Sequence, residues 1–229
     1  MNEELRERNM YLIKKGIQSM PQYKDLSVGV YSIAESKNHV FKVNVGMDEL
    51  KIRVLPGFEP SCLELHKYLL SIDPGFKVPK LIDMVRVEDR ILKVMEWLPG
   101  TPLNKLTENG SNQFQFLADE YFYKWGECMA RLNNIKYETM NYTMNDIWWW
   151  NFILIDDGTL IPCDMSKLQA VTCPEQDIMR WIIMNITIPI RKKKVFIEGY
   201  CKLREFDPQM NFLEAMEYMV KRSKNELNA

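Results

Sequence analysis

The apolar residues of this chain change their spacing once, and that change constrains the fold more than any other feature. Between residues 28 and 97 they fall in short β-prone runs: Val28-Gly-Val-Tyr-Ser-Ile33, His39 to Val45, Glu49 to Leu55, Val78 to Val85, and Arg90 to Trp97. In the third run Leu50, Ile52 and Val54 alternate with Lys51 and Arg53. This predicts a half-buried strand with two cations on its second face. Pro56-Gly57 ends it. After the break Leu98-Pro-Gly-Thr-Pro102 the spacing becomes helical. Leu117, Tyr121, Trp125, Cys128, Met129 and Leu132 predict a helix from Phe116 to Asn133. Helices are also predicted over 3–19 and over Ser61 to Leu70, the latter with Leu63, Leu65, Leu69 and Leu70 in the core. A β-rich part over 1–97 and a mainly helical part over 98–229 give an α+β, two-lobed layout.

Charge and composition exclude several classes. Thirty Lys and Arg against 31 Asp and Glu leave a net charge of −1. A protein binding nucleic acid through general phosphate attraction needs a basic excess. The hydrophobic content of 46% excludes a disordered chain. The N-terminus is charged from its first residues, so no secretory signal is expected. The apolar stretch Trp181 to Ile190 is broken by Asn185 and Thr187 and is too short to span a bilayer. Cys62, Cys128, Cys163, Cys173 and Cys201 have no CxxC pair, and His39 and His66 do not complete a zinc site. Free thiols and a cytoplasmic location are expected, with Cys163 buried in a strand.

Between residues 140 and 169 the helical spacing stops. Phe152-Ile-Leu-Ile155 and Leu160-Ile-Pro-Cys163 flank Asp156-Asp-Gly158, a hairpin signal. Asp146 and Asn151 precede this hairpin and Asp164 follows it, so three oxygen-bearing side chains are expected at one edge. Oxygen ligands suit a divalent metal, and a carboxylate nearby can take a proton from a hydroxyl. Asp146-Ile-Trp-Trp-Trp-Asn151 also has the D-x-x-x-x-N spacing of a kinase catalytic loop, and Cys163-Asp164-Met-Ser166 falls where a kinase carries its metal-binding segment.

Further segments follow in kinase order. Arg53-Val-Leu sits where a kinase strand carries its lysine, and Glu64 on the next helix is placed to pair with it. Val94-Met-Glu-Trp-Leu-Pro-Gly resembles an adenine hinge. Ala130-Arg-Leu-Asn133 and Pro174-Glu-Gln-Asp177 resemble two later segments, the second with an Asp that braces the catalytic loop. From about Val28 to Ile183 the chain resembles the aminoglycoside phosphotransferase and choline kinase group, including lipopolysaccharide sugar kinases. The resemblance implies a bilobal kinase-like fold, ATP with Mg2+, and a hydroxyl acceptor. It implies Asp146 as base, and Asn151 and Asp164 as metal ligands. Arg53, with Lys51 as a second clamp, would meet the phosphates, and Met95, Glu96, Trp97 and Leu98 would form the hinge.

The chain departs from the family pattern in several places. Met144-Asn145-Asp146 replaces H-G-D, Gly29 stands alone in the phosphate loop, and Met165-Ser166 follows the metal Asp. Glu59 is an alternative to Glu64. Only 52 residues follow Asp177, which predicts a shortened helical lobe and a reduced acceptor site. Trp148, Trp149 and Trp150 cannot all enter one core. The middle one is the candidate for burial, and the others for contact with a sugar face or a cationic head group. Glu205, Asp207, Glu214 and Glu217 are read as a solvated face. Met210, Met216 and Met219 are read as core filling. Arg191-Lys-Lys-Lys194 could meet an anionic lipid head group, making peripheral membrane contact one reading, but a plain surface loop is the simpler account.

The expected activity is ATP-dependent phosphotransfer to a small molecule or glycan, with a surface or lipopolysaccharide sugar preferred and choline-like or aminoglycoside acceptors next. No obligate protein partner is expected. The alternative is a catalytically weak kinase-like protein acting as a nucleotide-binding or regulatory module.

Overall fold

The structure is a computed structural model that describes residues 3–32, 39–57, 60–108, 113–144, 146–164 and 168–206. Glu59, Asn145, Met165, Ser166, Asp207, Met210, Glu214, Met216, Glu217 and Met219 lie outside the described residues. Contacts divide the chain into two units, Met1–Pro60 with Pro79–Leu98, and Ser61–Val78 with Pro99–Ala229.

The first unit contains α1 (Glu3–Ser19), β1 (Val28–Ser32), β2 (Val40–Val45), β3 (Asp48–Leu55), β4 (Leu81–Val87) and β5 (Arg90–Glu96). The strands form an antiparallel sheet in the order β1-β2-β3-β5-β4. Alternation decides which face is covered. Phe41, Val43, Val45, Leu50, Ile52, Val54, Leu92 and Val94 join Leu12, Ile13 and Ile17 of α1 in one core. Lys51 and Arg53 therefore lie on the face opposite α1. Gly16 lets the helix approach, since a Cβ there would lie 2.4 Å from Leu92 Cδ1. Val78 to Lys80 are not part of β4. Pro79 has no N–H for a ladder, and pairing begins at Leu81 opposite Met95.

The second unit contains α2 (Pro60–Ser71), β6 (Thr101–Pro102), α3 (Asp119–Asn134), β7 (Lys136–Tyr137), β8 (Met140–Met144), β9 (Phe152–Leu154), β10 (Leu160–Pro162), β11 (Leu168–Val171), α4 (Glu175–Met184) and α5 (Ile190–Cys201). Its strands form two small sheets, β10-β9-β6 and β11-β8-β7. In α2, Leu63, Leu65 and Leu69 are buried, whereas Leu70 is 38% exposed, one position off the apolar stripe. The long helix begins at Asp119. Phe114–Phe116 form a 3-10 turn instead, and Leu117 is buried through a bridge to Thr107. Tyr121 is half-buried, and its neighbour Phe122 takes the core position.

Trp125 anchors an aromatic core with Phe114, Phe122, Phe152, Trp181 and Phe196. Helices α3 and α5 meet at glycines. A Cβ on Gly126 would lie 2.0 Å from Phe196 O, and one on Gly199 would lie 2.1 Å from Tyr123 O. A buried polar network joins α3 to β8. Asn133 Nδ2 donates to Tyr142 O at 2.7 Å, and Asn133 Oδ1 accepts from the Tyr200 hydroxyl at 2.8 Å. Asn141 Nδ2 and Arg204 Nη1 both donate to Asn133 O, at 2.6 and 2.9 Å. Burial drives the Tyr200 phenol far above its usual range.

Candidate active site

The segment from Asp146 to Asn151 is a short loop closed by a 3-10 turn, and its hydrogen bonds return to Asp146. The carbonyl of Asp146 accepts from Trp148 N–H at 2.9 Å and from Asn151 Nδ2 at 3.0 Å. Asn151 N–H donates to Trp148 O at 2.9 Å. Burial alternates along the loop. Ile147, Trp149 and Asn151 point inward, Trp148 is partly covered and Trp150 is exposed.

The β9–β10 hairpin brings Asp164 back to this loop. Leu160 lies opposite Leu154, and Pro162 opposite Phe152. Past the last pair, Cys163 N–H donates to Asn151 O at 2.8 Å. The residue after Cys163 is Asp164, so this bond holds the Asn151 backbone one residue away from Asp164. The turn is built locally. Gly158 has φ +79°, and Asp157 Oδ1 accepts from Thr159 N–H at 2.7 Å. Bonds from Thr159 hold the Asp157 carboxyl below its usual range. Cys163 lies just beyond β10 and is half-buried, because pairing stops where the Asn151 turn begins. Among the described residues Cys128, Cys163, Cys173 and Cys201 form no disulfide.

β8 leads into the loop and fixes where it starts. Met144, the last residue of β8, is fully buried and lies opposite Leu168 of β11. Apolar packing thus holds the strand end. Asp177 lies in the first turn of α4. Burial pushes its carboxyl up, while Arg180 and the hydroxyl of Thr143, on β8, partly offset that shift. The Arg180–Asp177 separation is 3.8 Å.

The three tryptophans separate into two groups. Trp149 is 2% exposed and stacks on Phe114 with ring centroids 4.0 Å apart. Trp148 and Trp150 stack on each other at 4.7 Å with planes 6° apart, and Trp150 is 46% exposed. The second unit therefore stacks a half-buried Trp148 against an exposed Trp150 in the loop between Asp146 and Asn151.

Lys51, Arg53 and the residues expected to form a hinge, Met95, Glu96, Trp97 and Leu98, belong to the first unit. Lys51 lies opposite Lys42 and Met95, and Arg53 lies opposite Val40 and Lys93. Lys42, Lys51, Arg53 and Lys93 thus share one face of the sheet with Arg86 of β4, which lies opposite Ile91, and Lys93 is only 4% exposed. Lys42 forms an ion pair with Glu49, and its ammonium lies 5.0 Å from the Trp97 ring centroid. Sequence reasoning missed Lys42 and Lys93, because cross-strand register carries the signal and spacing along one strand does not. In the hinge, Met95 is buried, Glu96 N–H donates to Lys80 O at 2.9 Å, and Trp97 N–H donates to Glu49 O at 3.0 Å.

Glu64 is exposed on α2 in the second unit and borders an open cleft with Leu65, Tyr137, Leu168, Gln169 and Ala170. Among the described residues no group of three His, Cys, Asp or Glu could hold a metal. No helix among them is long and apolar enough to cross a membrane.

No family model and no curated protein matches the chain. Solved structures do match. An aminoglycoside-3'-phosphotransferase of type VIII aligns over 93% of this chain and 98% of its own, with 11% identity and a TM-score of 0.61. A microcompartment-associated aminopropanol kinase aligns over 86% and 82%, with 11% identity and a TM-score of 0.62. An ADP-bound aminoglycoside phosphotransferase, APH(2'')-Ib, aligns over 99% and 90%, with 11% identity and a TM-score of 0.59. The chain shares the α+β, kinase-like fold of these solved phosphotransferase and kinase structures.

Proposed function

We propose that this protein transfers the γ-phosphoryl group of ATP to a hydroxyl of a small molecule or glycan, with a sugar ring as the preferred acceptor. What supports the reading is that Asn151 Nδ2 donates to Asp146 O and that Cys163 N–H, next to Asp164, donates to Asn151 O, so the residues proposed as base and metal ligands sit on adjoining backbone. Asp146 takes the proton of the acceptor hydroxyl as its oxygen bonds to the γ-phosphorus and ADP leaves.

The donor set suits magnesium. Nδ2 of Asn151 is committed to Asp146 O, which leaves Oδ1 as the remaining polar atom of that amide. One amide oxygen and one carboxylate, completed by phosphate oxygens, is a usual magnesium arrangement. When bound, the ion neutralises charge on the β- and γ-phosphate oxygens. In the first unit, Arg53 with Lys51 meets the phosphates, and Met95 to Leu98 take the adenine.

The similar structures are named for phosphotransfer to aminoglycosides and for an aminopropanol kinase, which supports a small-molecule acceptor. Trp148 and Trp150 offer it an indole platform. A sugar presents an apolar ring face suited to that platform, and a lipopolysaccharide sugar would be one such acceptor. The free thiols suit the cytoplasm, where ATP is available.

An ATP-consumption screen over sugars, amino alcohols and aminoglycosides tests the reading. Asp146→Ala is expected to lower turnover about 100- to 10,000-fold. Equal ATP consumption by the wild type and this variant would remove Asp146 from the mechanism. Nucleotide binding without turnover on any acceptor would favour the regulatory-module reading.

A further inference from the structure

We propose that the turn between α4 and α5 docks this protein on the surface of an anionic lipid bilayer. Met184, Ile186 and Ile190 fall within seven residues and are 66%, 86% and 73% exposed. Exposure this high marks aliphatic side chains that stand clear of the surface, and three on one turn are unlike the scattered apolar residues common on soluble proteins.

The turn is pinned from below. Asn185 is buried, and its Nδ2 donates to Trp181 O at 2.8 Å. Ile188 is also buried, and its N–H donates to Asn185 O at 3.1 Å. The inward residues fix the turn, and the outward ones contribute nothing to that fixation.

Cations stand immediately beside them. Arg191, Lys192, Lys193 and Lys194 are the second to fifth residues of α5, near its N-terminal end, where the helix dipole disfavours positive charge. They are helical and do not form a loop. Lys192 and Lys193 also donate to Leu117 O and Ile182 O at 2.6 and 2.7 Å. Asp119 pairs with both Arg191 and Lys192 at 2.5 Å, yet the Arg191 side chain remains 82% exposed. Lys194 is exposed as well. A protruding aliphatic tip followed by the exposed Arg191 and Lys194 is complementary to acyl chains beneath anionic head groups.

A second copy of the chain fits this surface poorly. A stable dimer buries on the order of 800 Å² per partner, more than one seven-residue turn supplies. A two-fold contact would also bring the two cation clusters together. The proposal stands independently of the catalytic reading.

Vesicle co-sedimentation of the full chain tests it. Vesicles of phosphatidylcholine alone would be compared with vesicles containing about one-third phosphatidylglycerol. The wild type is expected to sediment at least roughly tenfold more with the anionic vesicles, and to be released by added salt. Ile186→Asp/Ile190→Asp and Arg191→Glu/Lys194→Glu should each abolish the difference, with circular dichroism unchanged. These positions are exposed, so both variants are expected to fold. Absence of wild-type sedimentation would overturn the proposal, as would sedimentation that both variants retain. Gel filtration supplies a further outcome. A wild-type dimer that Ile186→Asp/Ile190→Asp converts to a monomer, without vesicle binding, would assign the turn to self-association and overturn membrane docking.

Discussion

At the scale of single residues, the loop uses neighbouring side chains of one type for opposite purposes. Trp149 fills a place against Phe114, while Trp150 faces outward beside it. Trp149→Ala is expected to cost about 3–5 kcal/mol of stability, read from urea unfolding. Trp150→Ala should leave stability within about 0.5 kcal/mol and raise the acceptor KM, because an exposed indole supports little of the fold. Sequence reasoning singled out the middle tryptophan for burial from the alternation of directions in an extended loop. It could not identify Phe114 as its neighbour, because that contact spans 35 positions and depends on a 3-10 turn that breaks the helical spacing. The proposed site residues Asp146, Asn151 and Asp164 were legible because their spacing and the Asp-Gly turn are both local. Lys93 was not, since its position opposite Arg53 exists only once β3 and β5 pair.

At the scale of elements, close backbone contact and one buried carboxylate make the strongest demands. Gly126→Ala or Gly199→Ala should destabilise the protein by about 1–3 kcal/mol or more, because each new methyl would meet backbone that has no room to move. Asn133→Ala is expected to cost about 1–3 kcal/mol by leaving the buried Tyr200 hydroxyl and Tyr142 carbonyl without this partner.

Asp177 gives a pH-dependent test. Its folded pKa is raised by burial, so its contribution to stability is fullest below the unfolded value near 4 and is lost as pH rises through the folded value. Asp177→Asn should therefore gain on the wild type over that interval, seen as a narrowing or reversing difference in urea midpoints. A difference independent of pH would show that ionisation of Asp177 does not matter to stability.

At the scale of the whole molecule, nucleotide binding should be visible in thermal unfolding. At magnesium–ATP about a hundredfold above its Kd, the linkage term is about 2.7 kcal/mol, a Tm increase of about 5–10 °C for a chain of this size. Asp164→Ala should remove most of the magnesium-dependent part. An unchanged shift would separate nucleotide binding from the proposed metal ligand.

The sequence by itself determined the strands of the first unit, helices α1 and α2, the two-cation face of β3 and the order of the loop and hairpin that carry Asp146, Asn151 and Asp164. These depend on period-two alternation, helical spacing and Asp-Gly turn chemistry, all of which act over a few residues. Tertiary structure decided the rest. It recruited β7, β8 and β11, whose mixed polar and apolar residues carry no clear period, because β8 gains its partners from both sides of the chain. It moved the start of α3 to Asp119 and turned Leu70 outward. It also set Lys42 and Lys93 beside Lys51 and Arg53, and left three aliphatic side chains exposed at a pinned turn. Register and burial are properties of chain segments meeting at long range, and a local pattern does not specify which segments will meet.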